Sequence, residues 1–120
     1  MRLAATRIFV SQWTEALDFY VALLGPPTSV GPGQAFAVFD GKPSDVIVEP
    51  VADDAPAEDR ALVGRFTGIS FAVDDLDRVH LELTAAGLTF TGAPALQPWG
   101  GRLATIADPS GNQIQLVQYP

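Results

Sequence analysis

Each half of the chain runs through the same order of patterns, an alternating segment followed by a helical segment that ends at glycine. In the first half, residues 6–10 alternate and residues 13–25 have apolar side chains at helical spacing. In the second half, residues 67–73 and 76–87 do the same. Glycine is favoured at a helix end because it adopts the left-handed backbone conformation without steric penalty. The halves are offset by about 63 to 66 residues and share little identity, so the repeat is inferred from pattern alone.

Short apolar runs of strand length, separated by Gly and Pro, follow each helical segment. They lie at residues 34–39, 45–51, 88–91, 102–107 and 113–118. Each half therefore predicts a βαβββ unit. We expect a single domain over residues 1–120, composed of one module at about 1–51, a linker at about 52–64 and a second module at about 65–120.

Length and composition describe an ordinary globular domain. A chain of 120 residues can bury a core without staples, and 48% apolar with 18% charged residues is typical of a folded protein. The net charge of −7 argues against nucleic acid or anionic membrane as a partner. There are no cysteines, and no segment has the apolar character of a signal peptide or a membrane span. We expect a cytoplasmic protein, whose acidic surface either aids solubility or attracts a cationic ligand.

Alternation predicts which strand residues face away from the helices. A sheet covered by helices on one side leaves its other side open, and we call this side the outward face. Residues of one parity in each strand belong to it. The outward residues with a large or polar side chain are predicted to be Arg7, Phe9, Asp45, Ile47, Glu49, Ser70, Gln113, Gln115 and Val117.

Several motifs carry a resemblance to a known family. They are V10-S-Q, A16-L-D-F-Y20 and L24-G25 in the first half, and F71-A-V-D-D-L-D77 and D108-P-S-G-N-Q-I-Q-L in the second. In this order they resemble the glyoxalase, bleomycin-resistance and extradiol-dioxygenase superfamily, also called vicinal oxygen chelate. The resemblance implies an α+β fold, in which two βαβββ modules form a U-shaped, partly closed mixed-sheet barrel around a cavity. It also implies a homodimer, with clefts at or near the interface between the copies.

The resemblance also assigns four positions at which metal-using members of the superfamily place their ligands. In this chain those positions are Ala5, Glu49, Gly68 and Gln115. Ala5 and Gly68 have no side-chain donor. Two oxygen donors do not hold a transition-metal ion, which needs three or four protein ligands.

No other residues replace the missing ligands. His80, the only histidine, lies in the middle of the second helix and away from the outward face. Asp74 and Asp75 open the same helix, where acidic side chains accept hydrogen bonds from free backbone amides. We therefore expect neither a metal nor a cofactor.

The outward faces and the loops beside them offer aromatic and polar side chains, as small-molecule pockets do. Phe36 and Phe39 have opposite parity, so one is expected to pack in the core and the other to face the cleft. Trp99 lies in the loop Q97-P-W-G-G101 and either lines the pocket or closes the barrel end. The candidate ligand-binding residues are Arg7, Phe9, Phe36, Phe39, Glu49, Ser70, Trp99, Gln113 and Gln115.

These residues support two functions of different classes. The first is a metal-free homodimer that binds or sequesters an apolar or aromatic compound, such as an antibiotic. The second is a metal-independent enzyme of the lyase, isomerase or cyclase type, in which Glu49 is the catalytic acid or base. An ion pair with Arg7 would instead make Glu49 structural. A metal-dependent lyase or dioxygenase is a third alternative, because one fold supports many uses.

Overall fold

Two mixed β-sheets and three helices make up the computed structural model, which describes all 120 residues. The first half supplies β1 (Ala5–Val10), α1 (Trp13–Leu24), β2 (Ser29–Val30), β3 (Ala37–Asp40) and β4 (Asp45–Pro50). These strands form the first sheet, in the order β1-β4-β3-β2. β1 runs parallel to β4, and the other pairs are antiparallel.

The second half forms the second sheet in the corresponding way. After α2 (Ala57–Arg60), it supplies β5 (Phe66–Ala72), α3 (Leu76–Ala85), β6 (Thr89–Phe90), β7 (Ala95–Leu96), β8 (Arg102–Ala107) and β9 (Gln113–Gln118). The strand order is β5-β9-β8-β6, and β7 also pairs with β8. β5 runs parallel to β9, as β1 does to β4.

This architecture confirms the predicted α+β fold with two βαβββ modules. The two sheets remain open and do not close into a barrel. β2 and β7 are not predicted, because two residues are too few to show a period. The predicted run at residues 34–39 begins as a strand only at Ala37, since Pro32–Gln34 form a turn of 3-10 helix.

The helix ends follow the expected backbone chemistry. Gly25, directly after α1, has φ +84°, and Gly87 after α3 has φ +89°, so both need the left-handed region that favours glycine. At the start of α3, the side chain of Asp75 accepts a hydrogen bond of 3.1 Å from the backbone N–H of Arg78. The expected capping role of Asp75 is confirmed. None of the three helices is both long and apolar enough to cross a membrane.

Burial confirms the alternation in β1 and β4, where Ile8, Val10, Val46 and Val48 are buried and the residues between them are not. The prediction for Val117 is wrong, because this residue is only 5% exposed. Its parity is outward, and it pairs with Ala72 of β5 and Leu103 of β8.

Helix α1 packs against both sheets. Phe19 and Tyr20 on this helix belong to one buried cluster with Ile8 of the first sheet and with Ile106 and Ile114 of the second. Burying such side chains removes apolar surface from water, which is the main favourable contribution to folding. The core therefore runs continuously from one half of the chain to the other.

The turn from Asp108 to Asn112 joins the halves by hydrogen bonds. Tyr20 donates its hydroxyl to Oδ2 of Asp108 at 2.7 Å. Nδ2 of Asn112 donates to the carbonyl oxygen of Phe9 at 2.8 Å, and its Oδ1 accepts from the amide of Gly64 at 2.9 Å. Burial, and then the charge of Asp108, raise the pKa of Tyr20 well above its usual value, so the hydroxyl stays a donor.

Candidate ligand-binding site

An ion pair between neighbouring strands stands on the outward face of the first sheet. Nη2 of Arg7 donates to Oε1 of Glu49 at 2.9 Å, and Nε of Arg7 donates to Oε2. The guanidinium carbon lies 5.2 Å from the centre of the Phe9 ring, within the range of a cation–π contact. β4 brings Glu49 opposite Phe9, which places all three side chains together.

The ion pair fixes the charge state of its arginine. The hydrogen bonds that Arg7 donates to Glu49, and then the charge of Glu49, raise the pKa of Arg7 above its ordinary value, so the guanidinium remains charged. The side chain of Arg7 is 59% exposed and that of Glu49 is 22% exposed. Both carboxylate oxygens of Glu49 accept hydrogen bonds from Arg7, so the ion pair holds the carboxylate against β1 in this conformation.

A cavity of about 210 Å³ adjoins this ion pair. It extends along the outward face toward the connection between the sheets, whose α2 region forms one wall. The lining residues are Phe9, Glu49, Pro50, Val51, Ala52, Ala55, Asp59 and Leu62. Its volume lies below the roughly 300–1,000 Å³ of pockets that enclose a drug-sized ligand. Alone, this cavity holds only part of such a molecule.

The second sheet presents amides and hydroxyls on its outward face. Ser70 and Thr105 lie directly opposite Gln115, one on each side of it, and Gln113 lies two residues earlier on the same strand. Gln113 is exposed and Gln115 is half-buried. An amide both donates and accepts hydrogen bonds, so this row can bind either kind of polar group.

An aromatic pair lies at one end of the same face. The ring centres of Trp99 and Tyr119 are 6.0 Å apart, and the two residues are 50% and 67% exposed. The indole lies over Gly101, where a Cβ would come within 1.8 Å of the ring. Side chains of the opposite parity, Arg102 and Gln118, reach α3 on the helix side. Gly101 and Tyr119 therefore belong to the outward side.

Tyr119 is absent from the residues predicted from the sequence. Continuing the alternation of Gln113, Gln115 and Val117 by one further step would have identified it. It lies just beyond the last strand, where alternation is usually not extended. The loop that contains Trp99 is shaped by a backbone hydrogen bond. The amide of Gln97 donates to the carbonyl oxygen of Gly101 at 2.8 Å.

The two phenylalanines of the third strand separate as their parity predicts. Phe39 is fully buried, with its ring centre 6.2 Å from that of Tyr20. Phe39 therefore packs in the core, and its place among the candidate ligand-binding residues is corrected. Phe36 is half-buried and its ring lies against Gly31, so it is the member of the pair that remains a candidate.

The positions that hold a metal in related proteins do not fit a metal here. Ala5 and Gly68 offer no donor, and no three His, Cys, Asp or Glu side chains are gathered in a group that could hold an ion. The register adds a further obstacle, since Glu49 lies opposite Phe9 and Ala5 lies opposite Asp45. Four residues of strand separate the two levels, a distance of roughly 13 Å. Ala5 and Glu49 therefore do not share one site.

The single histidine lies elsewhere. His80 is half-buried on α3, and its ring packs edge-on against that of Phe90 with 4.5 Å between the centres. This contact places His80 on the helix side of the second sheet, as expected from its position in the helix.

Candidate residues on the two sheets stay in separate groups within one chain. The first group contains Arg7, Phe9, Phe36 and Glu49, and the second contains Ser70, Trp99, Gln113 and Gln115. None of five cavities, with volumes from about 20 to 630 Å³, is lined by residues from both groups. The largest, of about 630 Å³, lies between the end of α1, β5 and α3, and touches only Ser70 among the candidates.

A family model and a solved structure both match the chain and belong to the same superfamily. The family model described as Glyoxalase/Bleomycin resistance protein/Dioxygenase superfamily matches residues 2–116. The structure of a member of that superfamily from Sphaerobacter thermophilus DSM 20745 is 32% identical with a TM-score of 0.78, covering 99% of this chain and 98% of that chain. TnmS3, an antibiotic binding protein from Streptomyces sp. CB03234, is 28% identical with a TM-score of 0.73, covering 100% and 97%.

One curated protein is similar over a shorter region. The bleomycin resistance protein of Klebsiella pneumoniae is 40% identical over 40 residues, which are 33% of this chain and 32% of that protein. The match thus spans about a third of that relative's length.

Proposed function

Since the chain belongs to the glyoxalase/bleomycin resistance protein/dioxygenase superfamily, we propose that it binds or sequesters an apolar or aromatic small molecule without a metal. An antibiotic is the ligand class that the similarity to TnmS3 and to the bleomycin resistance protein favours. We propose that the protein acts in the cytoplasm.

The observation that carries the proposal is the exposed aromatic pair of Trp99 and Tyr119, on the same face as Gln113 and Gln115. Large aromatic side chains left in water on a sheet face are unusual unless a partner or ligand covers them. Gln115 lies four residues before Tyr119 on the same face, roughly 13 Å along the strand, and can supply a polar contact at that distance. An elongated ligand with one planar ring on the aromatic pair and a polar group at the level of Gln115 would use both features.

We further propose that two copies of the chain form a homodimer. In one chain, the candidate residues of the first sheet and those of the second sheet line no common cavity. A second copy that places its second sheet opposite the first sheet of its partner would bring the two groups together. Each closed cleft would then combine the Arg7–Glu49 face of one copy with the Trp99 face of the other.

The ion pair of Glu49 argues against the enzymatic alternative. A general base needs a carboxylate within reach of the substrate and free to accept its proton. Both oxygens of Glu49 already accept a hydrogen bond from Arg7, which holds the carboxylate against the neighbouring strand. The pair is better suited to shaping the cleft than to proton transfer.

Tryptophan fluorescence tests the proposed function directly. The chain has two tryptophans, so Trp13→Phe leaves Trp99 as the only reporter. Titration with bleomycin and with daunorubicin should change the Trp99 emission saturably and raise the melting temperature, because a ligand that binds the native state stabilises it. The same titrations of Trp99→Ala should give a melting-temperature rise that is much reduced. If neither compound changes emission or melting temperature, the sequestration of these antibiotic classes is refuted.

Sedimentation measures the proposed dimer. The wild-type chain should sediment at twice the mass of one copy. A monomer at every concentration, combined with normal ligand binding, would show that each cleft is built from one chain.

A further inference from the structure

We propose that the guanidinium of Arg7 is the fixed cation of the ligand cleft and binds a neutral carbonyl oxygen of the ligand. Glu49, the ion-pair partner of Arg7, lines the cavity of about 210 Å³ on this face. The inference rests on the proposed function and adds the ligand's chemical class, a planar compound that carries a carbonyl group.

Arg7 differs from the other basic residues in its place on the sheets. It is the only Lys, Arg or His whose parity is outward in any of the strands. It lies two residues beyond Ala5 on the same strand and face, a distance of roughly 7 Å. Arg7 is therefore the one basic side chain of the strands that a ligand on their outward side can contact.

The arginine is held in place and still has donors to spare. Glu49 binds it through two hydrogen bonds from the neighbouring strand, and the ring of Phe9 lies beneath it. A guanidinium has five N–H groups, of which two are used by Glu49. The side chain is 59% exposed, so the remaining donors face solvent or a ligand. A donor fixed in this way loses little conformational freedom when a ligand binds.

The local charge balance favours a neutral acceptor over an anion. Arg7 and Glu49 together carry no net charge, and the whole chain carries −7. An anionic ligand would add a further negative charge to a chain that already carries −7, whereas a carbonyl oxygen accepts a hydrogen bond and adds none. Beside the pair, Phe9 and Ile47 offer apolar surface for the body of a planar molecule.

Two probes of matched shape test the inference. Fluorenone and fluorene are planar tricyclic compounds that differ in one group, a carbonyl against a methylene. We expect the wild-type protein to bind fluorenone about tenfold more tightly than fluorene, the ratio typical of one hydrogen bond to a charged donor. In Arg7→Met, the two affinities should come within about twofold of each other, with the affinity for fluorene unchanged. In Glu49→Gln, which frees the guanidinium from its strand, the ratio should fall to an intermediate value.

Controls separate this inference from the proposed function and from misfolding. Arg2→Met removes an exposed arginine outside both sheets and should leave the ratio unchanged. Circular dichroism melting of each variant shows whether it folds, and the fluorene affinity reports an intact apolar site. A wild-type ratio near one, or a tenfold ratio that persists in Arg7→Met, would overturn the inference while the proposed function stands. Failure of the wild type to bind either probe, bleomycin or daunorubicin would overturn both.

Discussion

The hydroxyl of Tyr20 donates a hydrogen bond of 2.7 Å to Oδ2 of Asp108, a residue 88 positions later in the chain. Tyr20 lies on the helix of the first module and is fully buried, and Asp108 opens the turn before the last strand. This bond joins the first helix to the motif that most clearly identifies the superfamily. Asp108 also accepts hydrogen bonds from the amides of Ser110 and Asn112.

Removing the Tyr20 hydroxyl should weaken the fold without opening a large cavity. Tyr20→Phe leaves the buried carboxylate of Asp108 one donor short, which costs about 1–2 kcal/mol in the free energy of unfolding. Urea denaturation measures the loss. Tyr119→Phe is the matched control, because Tyr119 is 67% exposed and its hydroxyl makes no hydrogen bond within the protein, so its stability should be unchanged. Equal stability of Tyr20→Phe and wild type would contradict the structural role of this bond.

The raised pKa of Tyr20 predicts a loss of stability in alkaline solution. In the unfolded chain a tyrosine ionises near pH 10, whereas in the folded protein burial and Asp108 raise its pKa well above that value. The folded state therefore keeps a proton that the unfolded state releases, so this contribution is complete below about pH 10 and declines above it. Melting temperatures measured from pH 8 to pH 11.5 should fall more steeply for wild type than for Tyr20→Phe. Parallel curves would show that Tyr20 ionises as freely in the folded state as in the unfolded one.

The amide of Asn112 should not tolerate conversion to an acid. Nδ2 donates to the carbonyl of Phe9 and, at 2.9 Å, to Oδ2 of Asp108. In Asn112→Asp, a carboxylate oxygen would take the place of the donor Nδ2, so both acceptors would lose their hydrogen bond. The change would also place a second carboxylate beside that of Asp108. We expect a loss of about 3 kcal/mol or more in the free energy of unfolding at pH 7, larger than that of Asn112→Ala. Chemical denaturation of the two variants compares them, and the opposite ranking would contradict the assigned hydrogen bonds.

A side chain at position 101 should displace the indole of Trp99. The Cβ of Gly101→Ala would lie 1.8 Å from that ring and 2.7 Å from the carbonyl oxygen of Gln118. In the Trp13→Phe background, the Trp99 emission maximum should shift and the affinity for daunorubicin should fall at least tenfold, with a lower melting temperature. Gly92→Ala is the control, since no atom lies within 4 Å of its added Cβ. Unchanged emission in Gly101→Ala would show that the indole does not rest on this glycine.

Divalent metals should not stabilise the protein. Ala5 and Gly68 supply no ligand, and Ala5 lies roughly 13 Å along the sheet from the level of Glu49. Nickel, zinc or ferrous iron at millimolar concentration should change the melting temperature by less than about 1 °C, because only specific binding to the native state raises it. A rise of several degrees that chelator reverses would refute metal-free binding. A protein with no metal response but with antibiotic binding would agree with the proposal.

Alternation along the strands was sufficient to predict the faces of both sheets. It placed Arg7, Glu49 and Gln115 outward, and it left Phe36 and Phe39 on opposite sides as the structure has them. A period of two gives direction but not the level at which neighbouring strands meet. The motif alignment therefore grouped Glu49 with Ala5, although the register places Glu49 opposite Phe9.

Contacts between distant segments lay beyond the sequence pattern. Val117 is buried although its parity is outward, and the position of Trp99 depends on a glycine two residues later. Neither the burial of Val117 nor the position of Trp99 can be predicted from the residues next to it in the sequence. Tyr119 is different, because its parity was readable and only the end of the strand hid it.

Helix α1 has consequences for how such a duplicated chain could arise. Phe19 and Tyr20 bury themselves against strands of both sheets, so a protein made of one βαβββ unit would leave this helix half uncovered in water. Exposed aromatic and aliphatic surface of this kind drives association. An ancestor of half the length would therefore have needed a second copy to fold stably, and joining the two in one gene would have made that pairing permanent.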